Sequence, residues 1–295
     1  MYVASGITDR DRLRALCEKA YNARAAVPEF PQILSRWEHD AAAWRQAAGG
    51  ELDLPYLDQA GGGSARTRLD LFWPNGVESA SCPIAMFIHG GYWQALDRGY
   101  FSHMARGPNA HGIALAIPSY DLCPAVHLAA IERQMAAAAA FLFNSYGRQV
   151  LVCGHSAGGH LTAAMLGFDF ASLDRALPQN LVPGGIAISG LFDLRDLVHT
   201  SINDKLGLEE ASAVAASPLL HLAPSGKHVI AGAGEAESDA FHWQSRELAR
   251  QWGRAGNQCQ YHIQRGRNHF TVLDDLADPG GSLAGELAAM AALLA

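Results

Sequence analysis

Ser156 stands in Gly154-His155-Ser156-Ala157-Gly158, a G-x-S-x-G turn between the apolar run Val150-Leu151-Val152-Cys153 and the helix-compatible stretch His160-Leu161-Thr162-Ala163-Ala164-Met165-Leu166. A strand that breaks into such a turn and opens a helix holds its serine in a strained backbone conformation. The hydroxyl then projects above the sheet, and small neighbours let the surrounding backbone approach. Gly154, Ala157, Gly158 and Gly159 meet that demand. The chemistry available to such a serine is nucleophilic attack on a carbonyl, with a covalent acyl intermediate.

Attack creates negative charge on the carbonyl oxygen, which needs backbone donors aimed at it. The run Pro83-Ile84-Ala85-Met86-Phe87-Ile88 reads as a strand and ends in His89-Gly90-Gly91-Tyr92-Trp93. This arrangement resembles the oxyanion-hole loop of esterases with the α/β-hydrolase fold, where the donors would be the N–H groups of Gly90, Gly91 and Ala157. Tyr92 and Trp93 are candidates to offer aromatic faces to a substrate, and a core role for Trp93 is equally compatible with the sequence. In this fold the acid and the histidine follow the serine in that order, each after a late strand. The alternating segment Gln258–Gln264 followed by Gly266-Arg267-Asn268-His269-Phe270 makes His269 the expected base. His262 lies within that strand, while His155, His160 and His89 are expected to position and pack. Three carboxylates, Glu235, Glu237 and Asp239, follow the run His228–Gly232. Asp239 suits the N-terminus of the next helix, and Glu237, at the loop apex, is the preferred partner of His269.

These residues carry a family resemblance. The chain resembles the arylformamidase (kynurenine formamidase)-like esterases of the α/β-hydrolase superfamily. The likeness runs through Tyr21-Asn22-Ala23-Arg24, His89–Trp93, Gly154–His160, Ser189-Gly190-Leu191-Phe192-Asp193-Leu194, Asn203–Leu208, Ser217-Pro218-Leu219 and Asn268-His269-Phe270. In the animal members an aspartate followed by Ser-x-x-Phe supplies the acid. The corresponding stretch here is Glu237-Ser238-Asp239-Ala240-Phe241, which supports Glu237 and marks a departure from the animal pattern. A Ser156-His269-Glu237 triad serves ester and amide cleavage alike; small carboxylic esters are the expected substrates, and the resemblance implies the alternative, aryl formamides such as N-formylkynurenine. A non-catalytic ligand-binding protein on the same fold is the distant alternative.

Placing these side chains requires strands near 66–72, 83–88, 112–117, 149–154, 183–188, 227–232 and 258–264. Helical stretches are expected near 98–110, 126–146, 157–167, 239–255 and 282–294. The alternation predicts an α/β fold with a mainly parallel central sheet covered by helices on both faces. Asp9–Arg24 and Gln32–Ala48 read as helices of an N-terminal extension, residues 1–50, and the resemblance implies that this region packs near the site as a partial lid, with surface decoration as the alternative. The segment from Leu191 to Pro224 is long for a plain connection and competes for that role.

With 295 residues and 49% hydrophobic content, one domain is the expectation. A net charge of −7 and the lack of a basic run disfavour nucleic acid and anionic membranes, so the expected partner is a small ester or amide. A homodimer is left open. Five scattered cysteines without a C-x-x-C pair, and a start without a basic, apolar leader, point to a reduced cytoplasmic protein. No metal and no cofactor is expected, because neither H-E-x-x-H nor a spaced Cys/His set occurs. Gly232-Ala233-Gly234 begins a dinucleotide pattern but has Glu237 where the third glycine belongs.

Overall fold

Parallel strands buried on both faces need continuous apolar runs, and the centre of this chain supplies them. The computed structural model describes all residues except 1, 5, 59, 80, 222–224 and 295. Its strands are β1 (Gly50–Pro55), β2 (Arg68–Phe72), β3 (Ile84–Ile88), β4 (Ala114–Pro118), β5 (Val150–His155), β6 (Gly184–Ile188), β7 (His228–Gly234) and β8 (Gln258–Gln264). They form one sheet in the order β1-β2-β4-β3-β5-β6-β7-β8. β1 and β2 run antiparallel at one edge, and the pairs from β4 to β8 are parallel. Every residue of β3, β4, β5 and β6 is buried.

The helices are α1 (Arg10–Tyr21), α2 (Ala23–Ala26), α3 (Phe30–Ala47), α4 (Arg106–Ala110), α5 (Leu128–Tyr146), α6 (Ala157–Gly167), α7 (Asn203–Leu206), α8 (Glu210–Ala215), α9 (Asp239–Arg254), α10 (Asp274–Ala277) and α11 (Ser282–Ala292). α3 buries Ile33, Trp37 and Ala41, one face at four-residue spacing. α5 buries its alanine tract and ends on Gly147 in the left-handed conformation, where glycine carries no Cβ penalty. None of the helices among the described residues is long and apolar enough to cross a membrane.

Three expectations about elements need correction. The continuous helix expected over Asp9–Arg24 is two, because Asn22 interrupts it and its Oδ1 accepts from Ala25 N, capping α2. The stretch 98–110 is two 3₁₀ turns, Arg98–Tyr100 and Ser102–Ala105, followed by short α4. Strand β1 was not anticipated. Most of its residues are exposed, and its register slips between Glu51 and Leu54 with Asp53 at φ 63°, so no clean alternation marks it.

The parallel strands all end at the same edge of the sheet. The loops after β3, β5, β6, β7 and β8 therefore converge there, which is where open α/β sheets build their sites.

Candidate active site

Ser156 follows β5 directly and precedes α6, at φ 57° and ψ −116°. Its N–H donates to Ile188 O at 2.8 Å, tying the turn to β6. The glycines of the motif are required by close approach. A Cβ on Gly158 would lie 1.9 Å from Ile88 O, and one on Gly154 would lie 2.3 Å from Gly158 O. Ala157 is the first residue of α6, so its N–H has no acceptor within the helix.

The loop after β3 lies against this turn. A Cβ on Gly90 would be 2.9 Å from His155 O and 3.2 Å from Ser156 Cβ, and Gly91 has φ 114° with Ala95 O in the way of any side chain. His89 is buried between the rings of Tyr120 and Phe101, stacked at 4.2 and 5.7 Å. Its Nδ1 donates to Gly90 O at 2.8 Å, and burial lowers its pKa to about 4, so it holds its own loop as a neutral ring.

His269, on the loop after β8, is buried among Phe241, His155 and Phe270 at centroid distances of 4.5, 4.8 and 5.2 Å. Its Nδ1 donates to Glu237 Oε2 at 2.7 Å. The other oxygen of Glu237 accepts from Gly234 N at 2.6 Å and from Ser189 Oγ. These bonds orient the imidazole and leave its Nε2 as the nitrogen free for proton exchange. His155 fixes the same loop from the elbow side. Burial and the nearby His269 ring hold its pKa well below the ordinary value, and its Nε2 donates to His269 O at 2.6 Å. No hydrogen bond joins Ser156 Oγ to His269 among the described residues. Catalytic contacts of this kind often tighten only when substrate is bound.

Ser156, His269, Gly90, Gly91 and Tyr92 line one cavity of about 360 Å³, open solvent included. Its walls are largely aromatic: Phe30 and Trp37 from α3, Phe101, and Phe270. Tyr92 sits at φ 52° and its hydroxyl donates to Tyr21 O, linking the Gly-Gly loop to the end of α1. Trp93 is fully buried, with its ring edge-on to His160 at 5.1 Å. Of the two roles open to Trp93, the structure selects the core anchor, and the expectation that it offers a face to substrate is corrected. His160 Nε2 donates to Ala216 O at 2.7 Å, a packing role.

The other two carboxylates serve elsewhere. Glu235 Oε2 accepts from Gly266 N at 2.8 Å, bracing the loop after β8, and Asp239 is the exposed first residue of α9. Ser189 is a residue that spacing could not single out. It is buried at φ 50° at the end of β6, its N–H donates to Gly232 O at 2.7 Å, and its hydroxyl meets Glu237. Its signal in the sequence is a serine followed by glycine at the end of a buried strand. Phe30 and Trp37 were equally hidden, since a helix pattern says which face is apolar and not what it covers. Among the described residues no cluster of His, Cys, Asp and Glu could hold a metal ion.

Comparison with known proteins adds independent information. The BD-FAE family model matches residues 69–249. Kynurenine formamidase of Danio rerio is 25% identical over 234 residues, 77% of each chain, and that of Drosophila melanogaster is 28% identical over 228 residues, 73% of this chain and 75% of the other. A crystal structure from Silicibacter sp. TM1040, provisionally named a thioesterase, superposes with TM-score 0.79 at 32% identity, covering 90% of this chain and 97% of that one. The carboxylesterase EstE1 from a metagenomic library shares the α/β-hydrolase fold, with TM-score 0.68 at 17% identity over 90% of this chain and 97% of its own.

Proposed function

Since the chain belongs to the BD-FAE family, we propose that it is a serine hydrolase that cleaves small carboxylic esters through an acyl-enzyme. The observation that carries this reading is convergence: the Ser156 turn, the Gly90-Gly91 loop and the Glu237–His269 pair meet at one aromatic cavity. His269 Nε2 takes the proton of Ser156 as Oγ bonds to the substrate carbonyl carbon. Glu237 holds the tautomer and stabilises the imidazolium that forms. Charge on the former carbonyl oxygen is received by the N–H groups of Gly90, Gly91 and Ala157, and losing one such donor typically costs about 3 kcal/mol in the barrier. His269 then returns its proton to the leaving group as the C–O bond breaks. Water, deprotonated by His269, attacks the acyl carbon, and the acid departs as Ser156 regains its proton.

A second reading, hydrolysis of aryl formamides, is favoured by the kynurenine formamidases among the relatives and by aromatic walls suited to a planar ring. The test is the ratio of kcat/KM for N-formylkynurenine to that for p-nitrophenyl acetate, with Ser156→Ala as the blank. A low ratio with strong ester turnover supports the esterase reading, and a ratio near or above unity replaces it with the formamidase reading. Equal, blank-level rates in both proteins would make this a binding protein on a hydrolase fold.

A further inference from the structure

Arg24, on α2, brings a full positive charge to the cavity that holds Ser156 and His269. Its guanidinium lies 5.3 Å from the centroid of Phe30, stacked on the aromatic wall. Among the described residues it has no carboxylate partner, although the chain carries 29 acidic side chains against 22 basic ones. Two carboxylates of the surrounding segments, Glu18 and Glu237, are engaged elsewhere. Glu18, on α1, accepts from Asn22 Nδ2 at 3.0 Å and from Ser201 N at 2.9 Å. Glu237 is bound by His269, Gly234 and Ser189. The backbone that carries it is held in place, because Asn22 caps its helix and Tyr21 O receives the Tyr92 hydroxyl of the Gly-Gly loop.

An exposed arginine that stays unpaired in a net-negative protein, at the mouth of an apolar cleft, is an anion receptor in waiting. The field of a chain with net charge −7 repels anionic ligands, so their capture requires a local cation at the site itself. The planar guanidinium fork matches a carboxylate with two parallel hydrogen bonds, while the aromatic walls take the carbon framework. We propose that Arg24 is a specificity-determining residue that selects substrates carrying a carboxylate at the end remote from the scissile carbonyl. The proposal rests on the hydrolase reading above. The carboxylate can belong to the acyl part or to the leaving group, and the test separates the two.

Two substrate pairs serve: p-nitrophenyl hydrogen glutarate against p-nitrophenyl valerate for the acyl side, and 4-carboxyphenyl acetate against 4-methylphenyl acetate for the leaving-group side. Each is measured with wild type, Arg24→Gln, Arg24→Lys and the Ser156→Ala blank. Differences in intrinsic reactivity cancel when the anionic-to-neutral ratio of kcat/KM is compared between variant and wild type. In one pair that ratio falls about ten- to hundredfold in Arg24→Gln, the discrimination of a charge-assisted hydrogen-bonded pair. The loss lies mainly in KM, and Arg24→Lys retains part of the preference. The pair that responds identifies the side that bears the anion. Ratios unchanged within about twofold in both pairs, with ester turnover intact, overturn the role of Arg24 alone. Wild-type rates no higher than the Ser156→Ala blank on all four esters overturn the hydrolase reading and this proposal with it.

Discussion

At the scale of single residues, the site depends on one carboxylate held by three donors. Glu237 has no exposed side-chain surface, and His269, Gly234 and Ser189 occupy its oxygens. Glu237→Gln keeps the shape and removes the charge that would stabilise an imidazolium. Steady-state kinetics are expected to show kcat lowered by roughly 10³–10⁴-fold with little change in KM, as when the acid of such a triad is replaced by its amide. Ser189→Gly is milder. Glycine accepts φ 50° without strain, so the variant removes only the hydroxyl bond to Glu237. A loss of about tenfold in kcat is expected, the worth of one hydrogen bond to a charged group, with an unaltered thermal midpoint. If the midpoint fell as far as kcat did, Ser189 would be a folding residue and not a positioning one. The hydrogen-bonded pairing of Glu237 with His269 was legible because only one of three carboxylates sat at the loop apex and matched the family pattern. Ser189 was not, because its value lies in a contact across 48 residues of chain.

At the scale of elements, the turn between β5 and α6 is the most constrained piece of the molecule. Gly158→Ala would put a methyl group 1.9 Å from Ile88 O, a backbone atom in a fully buried strand that cannot move aside. The variant is expected to lose at least about 3 kcal/mol of stability and to be recovered mainly as aggregate, checked by urea denaturation and size-exclusion chromatography. A soluble protein with wild-type stability would mean that β3 and α6 lie farther apart than described. The N-terminal helices are read differently from structure than from sequence. Periodicity showed α3 as amphipathic, but its Trp37 packs 5.4 Å from Phe101 and 6.5 Å from His155, so the helix forms part of the cavity wall. The segment 191–208 meets α1 instead: Asp196 accepts from the Tyr21 hydroxyl, and Ser201 donates to Glu18. The last positions of the longer stretch expected there, 222–224, lie outside the described residues.

At the scale of the whole molecule, two features govern stability. Asp70 on β2 is fully buried and is bound by Arg45 of α3, by Arg98 Nε at 3.1 Å and by Asp53 N at 2.8 Å, fastening the N-terminal helices to the antiparallel edge. Asp70→Asn leaves two arginines without their shared charge. A loss of about 3–5 kcal/mol is expected from the urea midpoint, the usual result of breaking one member of a buried ionic group. The second feature is pH. Desolvation lowers the pKa of His89, His103 and His160 from 6.5 to about 4, and holds that of His155 well below its ordinary value. Below pH 6.5 the unfolded chain binds protons at these positions that the folded chain refuses, so stability is fully present above pH 6.5 and is lost as pH falls towards 4. Glu132, raised from 4.5 to about 7 by burial, acts in the opposite sense: its contribution is present at low pH and is lost as pH rises through 7. Asp274, also raised by burial, acts in the same sense as Glu132; four histidines outweigh these two carboxyls, and each histidine contributes up to about 1.4 kcal/mol per pH unit. The urea midpoint should therefore drop steeply between pH 6.5 and 4, and a flat profile would show that these rings are not buried as neutral groups.

What the sequence determined by itself was whatever local chemistry encodes. A G-x-S-x-G turn needs its glycines where the backbone crowds, and short apolar runs bounded by turn residues read as central strands, whereas the longer alanine-rich run reads as the interior of helix α5. A late histidine after an alternating strand falls where the order serine, acid, base expects it. The family likeness to arylformamidase-like esterases was legible for the same reason, since its motifs are these local turns. Strand β1 escaped because an exposed edge strand has no apolar face to reveal it. The break of the first helix at Asn22 escaped because a residue that caps one helix also reads as the interior of a longer one. Only the tertiary structure decided that Trp93 is a core anchor, that Ser189 completes the donors around Glu237, and that Arg24, Phe30 and Trp37 reach the cavity from the far N-terminus. These are contacts between segments more than forty residues apart, set by how helices dock on a sheet, and no periodicity or spacing along the chain carries that information.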